Sequence, residues 1–289
     1  MTDHHVHLER GAYDPHTYPL EWLDAYARVA APRGADRLGV VEHAYRFRQA
    51  AGLLPGAWSE ARCRFDLDRY AAFVERAREA GAPAVFGLEM DFVPGRERDI
   101  ERFLGLYPWD FVLGSVHWLG DFAVDNDPAD WHGRDVGEVW RRYVDTALAA
   151  CASGLFDVFT HPDLPKLWGH DYPGDLTALY APLVEALARA DMAIEVNTNG
   201  LRRPVGILYP APQILRLAHA AGVPATVASD AHEPGFAGYA FDRAAQLLRS
   251  CGYTQTAHVT GRRRSTVPLP GPGRRPSAAP VRRSGPGGG

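Results

Sequence analysis

The chain opens "MTDHHVHLERGAYDPHTY", placing His5 and His7 two residues apart beside Asp3. In an extended strand alternate side chains share a face, so Asp3, His5 and His7 are expected to point one way and His4 and Val6 the other. Two imidazoles so spaced can share one divalent ion, and histidine is the commonest metal ligand. Similar residues recur behind other apolar runs. Glu42-His43 closes "RLGVVEH", Glu89 and Asp91 sit in "AVFGLEMDFV", and His117 sits in "FVLGSVHWL". His161 follows "FDVFT", Glu195 and Asn197 lie in "MAIEVNTNG", and Asp230 and His232 end "PATVASDAH". Six of the twelve histidines fall at these run ends, where an unpartnered polar ring is a liability, and a metal site explains them together. One zinc ion takes three or four protein ligands. The larger set here points to two or three ions, the usual device for phosphoryl chemistry. A mixed nitrogen and oxygen donor set accepts Zn, Mn or Fe.

Elements of a particular order must bring these residues together. Seven apolar runs alternate with amphipathic stretches that predict helices over 19–32, 67–80, 96–106, 136–153, 176–190, 211–221 and 239–250. Several stretches stop at a glycine, as at Gly34, Gly81, Gly154 and Gly222, the usual helix C-terminal signal. Strands separated by helices of this length read as β/α units with a parallel sheet. With no GxGxxG and no P-loop, seven units in one stretch favour an α/β barrel over a doubly wound sheet. In parallel barrels the chemistry sits at the C-terminal strand ends, where the candidate ligands fall.

Composition narrows the classes further. Hydrophobic residues make up 46% of the 289-residue chain, enough for a full core, and no run approaches the roughly 20 apolar residues that span a bilayer. The polar first residues do not read as a signal peptide. Cys63, Cys151 and Cys251 are scattered without CxxC spacing, which excludes a disulfide framework or a cysteine zinc site and suits a cytoplasmic protein. The net charge of −4 hides an asymmetry, because residues 262–289 carry seven arginines and no acid. That Gly/Pro-rich segment is expected to be a tail, disordered beyond about Leu269, leaving residues 1–261 as a single acidic barrel domain. An acidic body argues against a nucleic-acid partner and suits a site that concentrates divalent cations. Oligomeric state leaves no mark in the sequence.

The set of motifs "DHHVHLERGAY", "VVEHAYRF", "GLEMDF", "LGSVHW", "HPDLPK", "EVNTNGLRRP" and "SDAHEP" resembles the polymerase-and-histidinol-phosphatase (PHP) family. It is most similar to the monofunctional histidinol-phosphate phosphatase branch, over roughly residues 3–261. The resemblance implies a distorted seven-stranded β/α barrel with three metal ions. Carried over by position, His5, His7, Glu89 and Asp230 would hold the first. Glu89 as a bridge with His117 and His161 would hold the second. His43, His232 and one ligand from the first loop would hold the third. For that last ligand the "HLERG" form favours Glu9, and the "YDPH" form offers His16 as the alternative.

The activity implied is hydrolysis of a phosphate monoester, here L-histidinol phosphate. The nucleophile would be a water activated by ions on Glu89, Asp230 and His232 rather than a side chain. Guanidinium forks match phosphate oxygens. Among the cations expected in catalytic-face loops (Arg46, Arg48, Lys166, Arg202 and Arg203), Arg46, Arg202 and Lys166 are the substrate-binding candidates. Glu42, Asp91 and Glu195 are candidates for the substrate ammonium, and Trp118 or Tyr45 for stacking on its ring. Two other readings keep the same ligands: a PHP-type hydrolase of another small phosphate ester or nucleotide, and a non-catalytic metal-binding domain.

Overall fold

The computed structural model describes residues 1–8, 18–54 and 56–271. Seven parallel strands close a barrel in the order β1-β2-β3-β4-β7-β8-β9. They are β1 (Thr2–Val6), β2 (Arg37–His43), β3 (Ala84–Asp91), β4 (Phe111–Ser115), β7 (Val158–Phe159), β8 (Ala193–Asn197) and β9 (Ala225–Ala228). Each matches one of the apolar runs. A short hairpin, β5 (Trp118–Leu119) and β6 (Phe122–Ala123), follows β4, and an antiparallel pair, β10 (Gln255–Thr260) and β11 (Arg263–Pro268), follows the barrel. The helices are α1 (Leu20–Ala30), α2 (Ala57–Glu60), α3 (Leu67–Glu79), α4 (Glu97–Leu104), α5 (Val136–Ser153), α6 (Leu176–Arg189), α7 (Pro212–Ala220) and α8 (Phe241–Ser250). Among the described residues no helix is long and apolar enough to cross a membrane, and the three cysteines are free.

Local chemistry starts and stops the helices. Asp66, Asp135 and Asp175 accept N-terminal amides of α3, α5 and α6, and Gly154 ends α5 in the left-handed conformation. The apolar stripe of α3 (Leu67, Tyr70, Phe73, Val74 and Ala77) is buried, and each large side chain contributes about 1.5–3 kcal/mol.

Register then sorts the barrel interior into two layers. His43 pairs with Glu89, Asp91 with Ser115 and Glu195 with Thr226, which stacks the polar residues toward the C-terminal strand ends. Beneath them Val41, Val85, Phe111, Leu113, Val158 and Ala193 form an apolar cluster with Ala257 and Val259 of β10. The final hairpin thus plugs the end opposite the polar residues. Gly87 is required in this lower layer, because a Cβ there would lie 2.2 Å from the Phe111 carbonyl oxygen.

Three expectations need correction. The expected boundary at residue 261 falls inside the β10–β11 hairpin, so the structured chain continues past it; residues 272–289 lie outside the described residues. The run "FVLGSVHWL" is not one strand, since β4 ends at Ser115 and the chain turns before β5. Strict alternation in β1 also fails, because the register shifts between Asp3 and Val6. Asp3 does not join His5 and His7 but accepts from the Ser229 amide (2.8 Å), the Ser229 hydroxyl (2.5 Å) and the Gly238 amide (2.8 Å). His4 packs edge-on to Phe111 and accepts from the Val259 amide at 3.3 Å, tying β1 to the plug.

Candidate metal centre

Glu89, at 1% exposure near the end of β3, stands among five histidines from four segments. Its Oε2 lies 3.2 Å from His5 Nε2, 3.3 Å from His7 Nε2 and 2.8 Å from His43 Nδ1. Its Oε1 lies 3.2 Å from His161 Nε2 and 3.6 Å from His117 Nε2. The carboxylate therefore presents one oxygen to each of two histidine groups. Asp230 Oδ1 faces the first group, 3.9 Å from His5 and 3.8 Å from His7, and lies 3.5 Å from His232 Nδ1. The His7 ring packs against both His43 and His232, at 4.3 and 4.4 Å, and those two rings lie 5.8 Å apart. Among the described residues three groups could each hold an ion: His5, His7 and Glu89; Glu89, His117 and His161; and His7, His43 and His232. Glu9 and His16 lie outside the described residues.

A second set of polar groups orients these side chains. His5 Nδ1 meets Glu195 Oε2 at 2.9 Å, and His117 Nδ1 meets Asp91 Oδ1 at 2.8 Å. With Nδ1–H donated to a carboxylate, each ring turns its Nε2 lone pair inward. Glu195 Oε1 also accepts the His161 amide (3.1 Å) and the Asn197 side-chain amide (2.8 Å). Asn197 and Asn199 both donate to Asp230 Oδ2, at 3.2 and 3.0 Å, which leaves Oδ1 facing the histidines. His161 and Asp230 have positive φ (26° and 51°), a conformation that surrounding structure must hold.

Charge in the cluster follows from this packing. Burial opposes ionisation of Glu89, yet His43, His5 and His117 hold it well below the usual carboxylate range. Asp230 is held down likewise by His5, His232 and His7 against its burial. Burial also opposes charge on His117, but Asp91 and Asp125 raise it to about 10. His7, buried beside His43 and His232, falls to about 3. Ionised carboxylates therefore face a buried histidine cluster in which, against burial, His5 and His117 are shifted up by their carboxylate neighbours, and His7 is shifted down by burial. The Nε2 atoms of His5 and His7 converge to 2.9 Å while His5 Nδ1 is already committed to Glu195. That convergence fits divalent cations bound by mixed nitrogen and oxygen donors.

Above the cluster opens a cavity of about 300 Å³. Glu89, Asp230 and His43, His117, His161 and His232 contribute to its lining, with Tyr45, Trp58 and Trp118 as an aromatic wall. Trp58 is 5.0 Å from both Tyr45 and Trp118 between ring centres. Arg46, Arg62 and Arg203 add positive charge.

Several expected substrate contacts are placed elsewhere. Lys166 is buried against Asp163 (2.7 Å) and donates to the Leu208 carbonyl (2.9 Å). Arg202 donates to the Ser229 and Asp230 carbonyls (2.6 and 3.2 Å) and stacks on Phe236, so its neighbour Arg203 lines the cavity instead. Arg46 does line it, over the Phe65 ring, whereas the exposed Arg48 lies 3.8 Å from Asp66. Glu195 and Asp91 are occupied by histidines, and Glu42 accepts the Leu8 amide at 2.7 Å, so none of the three lines the cavity. Sequence reasoning missed Trp58, Arg62 and Asp125. The i, i+4 spacing of Trp58 and Arg62, which stack at 3.8 Å, was an available signal.

The chain is similar to known proteins in sequence and in fold. A family model described as PHP domain matches residues 3–199. A probable histidinol-phosphatase of Deinococcus radiodurans is 35% identical over 260 residues, covering 87% of this chain and 94% of its own. A histidinol-phosphatase of Bacillus subtilis is 24% identical over 266 residues, covering 83% and 96%. In fold, the chain is similar to the crystal structure of histidinol phosphate phosphatase from Lactococcus lactis complexed with zinc, L-histidinol and phosphate. That similarity has a TM-score of 0.72 at 20% identity and covers 91% of this chain and 98% of that one.

Proposed function

The chain belongs to the PHP domain family, and from that premise we propose that it is a metal-dependent phosphomonoesterase that hydrolyses L-histidinol phosphate to L-histidinol and phosphate, a step of histidine biosynthesis. The observation that carries the reading is Glu89, whose two oxygens each address a separate histidine group at the cavity floor. The substrate is supported by the likeness to histidinol-phosphatases along most of both chains.

His5, His7, Glu89 and Asp230 would hold one ion, Glu89, His117 and His161 a second, and His43 and His232 a third, with Glu9 or His16 as a further ligand. Bound divalent ions supply charge neutralisation at the phosphoryl group and acidify water. Arg46, Arg62 and Arg203 bind and orient the phosphate dianion through guanidinium forks. Glu195 and Asp91 keep the Nδ1 protons of His5 and His117 in place, so the Nε2 atoms remain free to coordinate. Asn197 and Asn199 hold Asp230 in one rotamer. Among the described residues lining the cavity there is no Ser, Thr or Cys, which favours attack by water over a covalent enzyme intermediate.

Release of inorganic phosphate tests the reading. With Zn or Mn supplied, kcat/KM for L-histidinol phosphate should exceed that for 4-nitrophenyl phosphate by roughly 10-fold or more. Equal values would reject the substrate assignment.

A further inference from the structure

One carboxylate on the cavity wall belongs to none of the three possible metal-binding groups, although its charge reaches His117. Asp125 follows β6, is half-buried and, among the described residues, has no hydrogen bond or ion pair. Its backbone is anchored on the preceding side: the Val124 amide donates to the His117 carbonyl (2.9 Å), and Trp131 Nε1 donates to the Val124 carbonyl (3.1 Å). The position of Asp125 is thereby tied to a cluster histidine. The other two carboxylates of the lining, Glu89 and Asp230, face the histidine groups.

A half-buried carboxylate that makes no hydrogen bond or ion pair among the described residues is poised for a cation brought by the ligand. The pair Trp58 and Trp118 adds aromatic faces that attract cations and accept a planar ring. We propose that Asp125 is a specificity-determining residue that receives the ammonium group of the substrate, so that the cavity selects phosphomonoesters of amino alcohols over amine-free ones. This deepens the phosphomonoesterase reading above and rests on it.

Two substrate pairs test the assignment. One is L-histidinol phosphate with its amine-free counterpart, 3-(imidazol-4-yl)propyl phosphate; the other is O-phosphoethanolamine with ethyl phosphate. The readout is the kcat/KM ratio within each pair, for wild type and Asp125→Asn at matched metal content. Wild type should prefer the amine-bearing member, and Asp125→Asn should reduce that preference roughly 10- to 100-fold. An unchanged preference in Asp125→Asn, or no amine preference in wild type for either pair, overturns the inference. If wild type turns over L-histidinol phosphate poorly, yet prefers O-phosphoethanolamine and loses that preference in Asp125→Asn, the histidinol assignment fails and the role of Asp125 stands.

Discussion

Replacing Glu195 by Gln should weaken metal binding without altering the shape of the cavity. Glu195 is fully buried and accepts three bonds: from His5 Nδ1, the His161 amide and the Asn197 side chain. A glutamine has one acceptor oxygen. If that oxygen keeps His161 and Asn197, its NH₂ faces His5 Nδ1. His5 must then either leave two donors opposed or move its proton to Nε2, the atom aimed at the cluster. A buried mismatch of this kind costs about 1–3 kcal/mol, which corresponds to roughly 5- to 150-fold in an equilibrium constant. Loss of a carboxylate behind a ligating histidine typically costs 10–100-fold in metal affinity or activity. Competition with a chromophoric chelator measures zinc affinity, and phosphate release measures turnover. Affinity should fall within that range, with L-histidinol phosphate and 4-nitrophenyl phosphate losing activity by the same factor at fixed subsaturating metal. Unchanged affinity, or a loss confined to the amine-bearing substrate, would refute the positioning role and return Glu195 to the ammonium site.

Arg203→Ala should raise KM for every phosphomonoester by roughly 10-fold or more. Arg202→Ala should instead lower Tm, because it releases the Ser229 and Asp230 carbonyls and the Phe236 stack; the opposite pattern would exchange the two roles. Lys166→Ala should cost about 3–5 kcal/mol of stability in urea titration, since it strands buried Asp163. An unchanged midpoint with a raised KM would restore Lys166 to phosphate binding.

The barrel was legible because each strand is a compact apolar run ending in polar residues, and parallel register then sets His43 beside Glu89. Residue types alone revealed the histidine groups. Direction was less legible. Arg202 and Arg203 are adjacent and identical, and only the turn Asn199–Arg202 decides which one meets the Ser229 carbonyl. The irregular register in β1 broke the alternation that grouped Asp3 with His5 and His7. Glu42 and Asp91 were recognisable as acids near the site, but their partners (the Leu8 amide and His117) come from distant segments. Lys166 was different, because Asp163 three residues earlier already offered a local ion pair. Strand β11 was hidden by an arginine-rich composition that reads as a tail, although its backbone pairs fully with β10.

Glu89 is proposed to join two metal groups in one catalytic site. Metal content per chain, measured by mass spectrometry for wild type and Glu89→Ala, tests it most directly when phosphate release is recorded on the same samples. Wild type should carry two or three divalent ions, matching the three groups, and Glu89→Ala should lose at least two of them with nearly all activity. A wild type fully active with one ion or none, or a Glu89→Ala variant that keeps its ions and its turnover, would contradict the account.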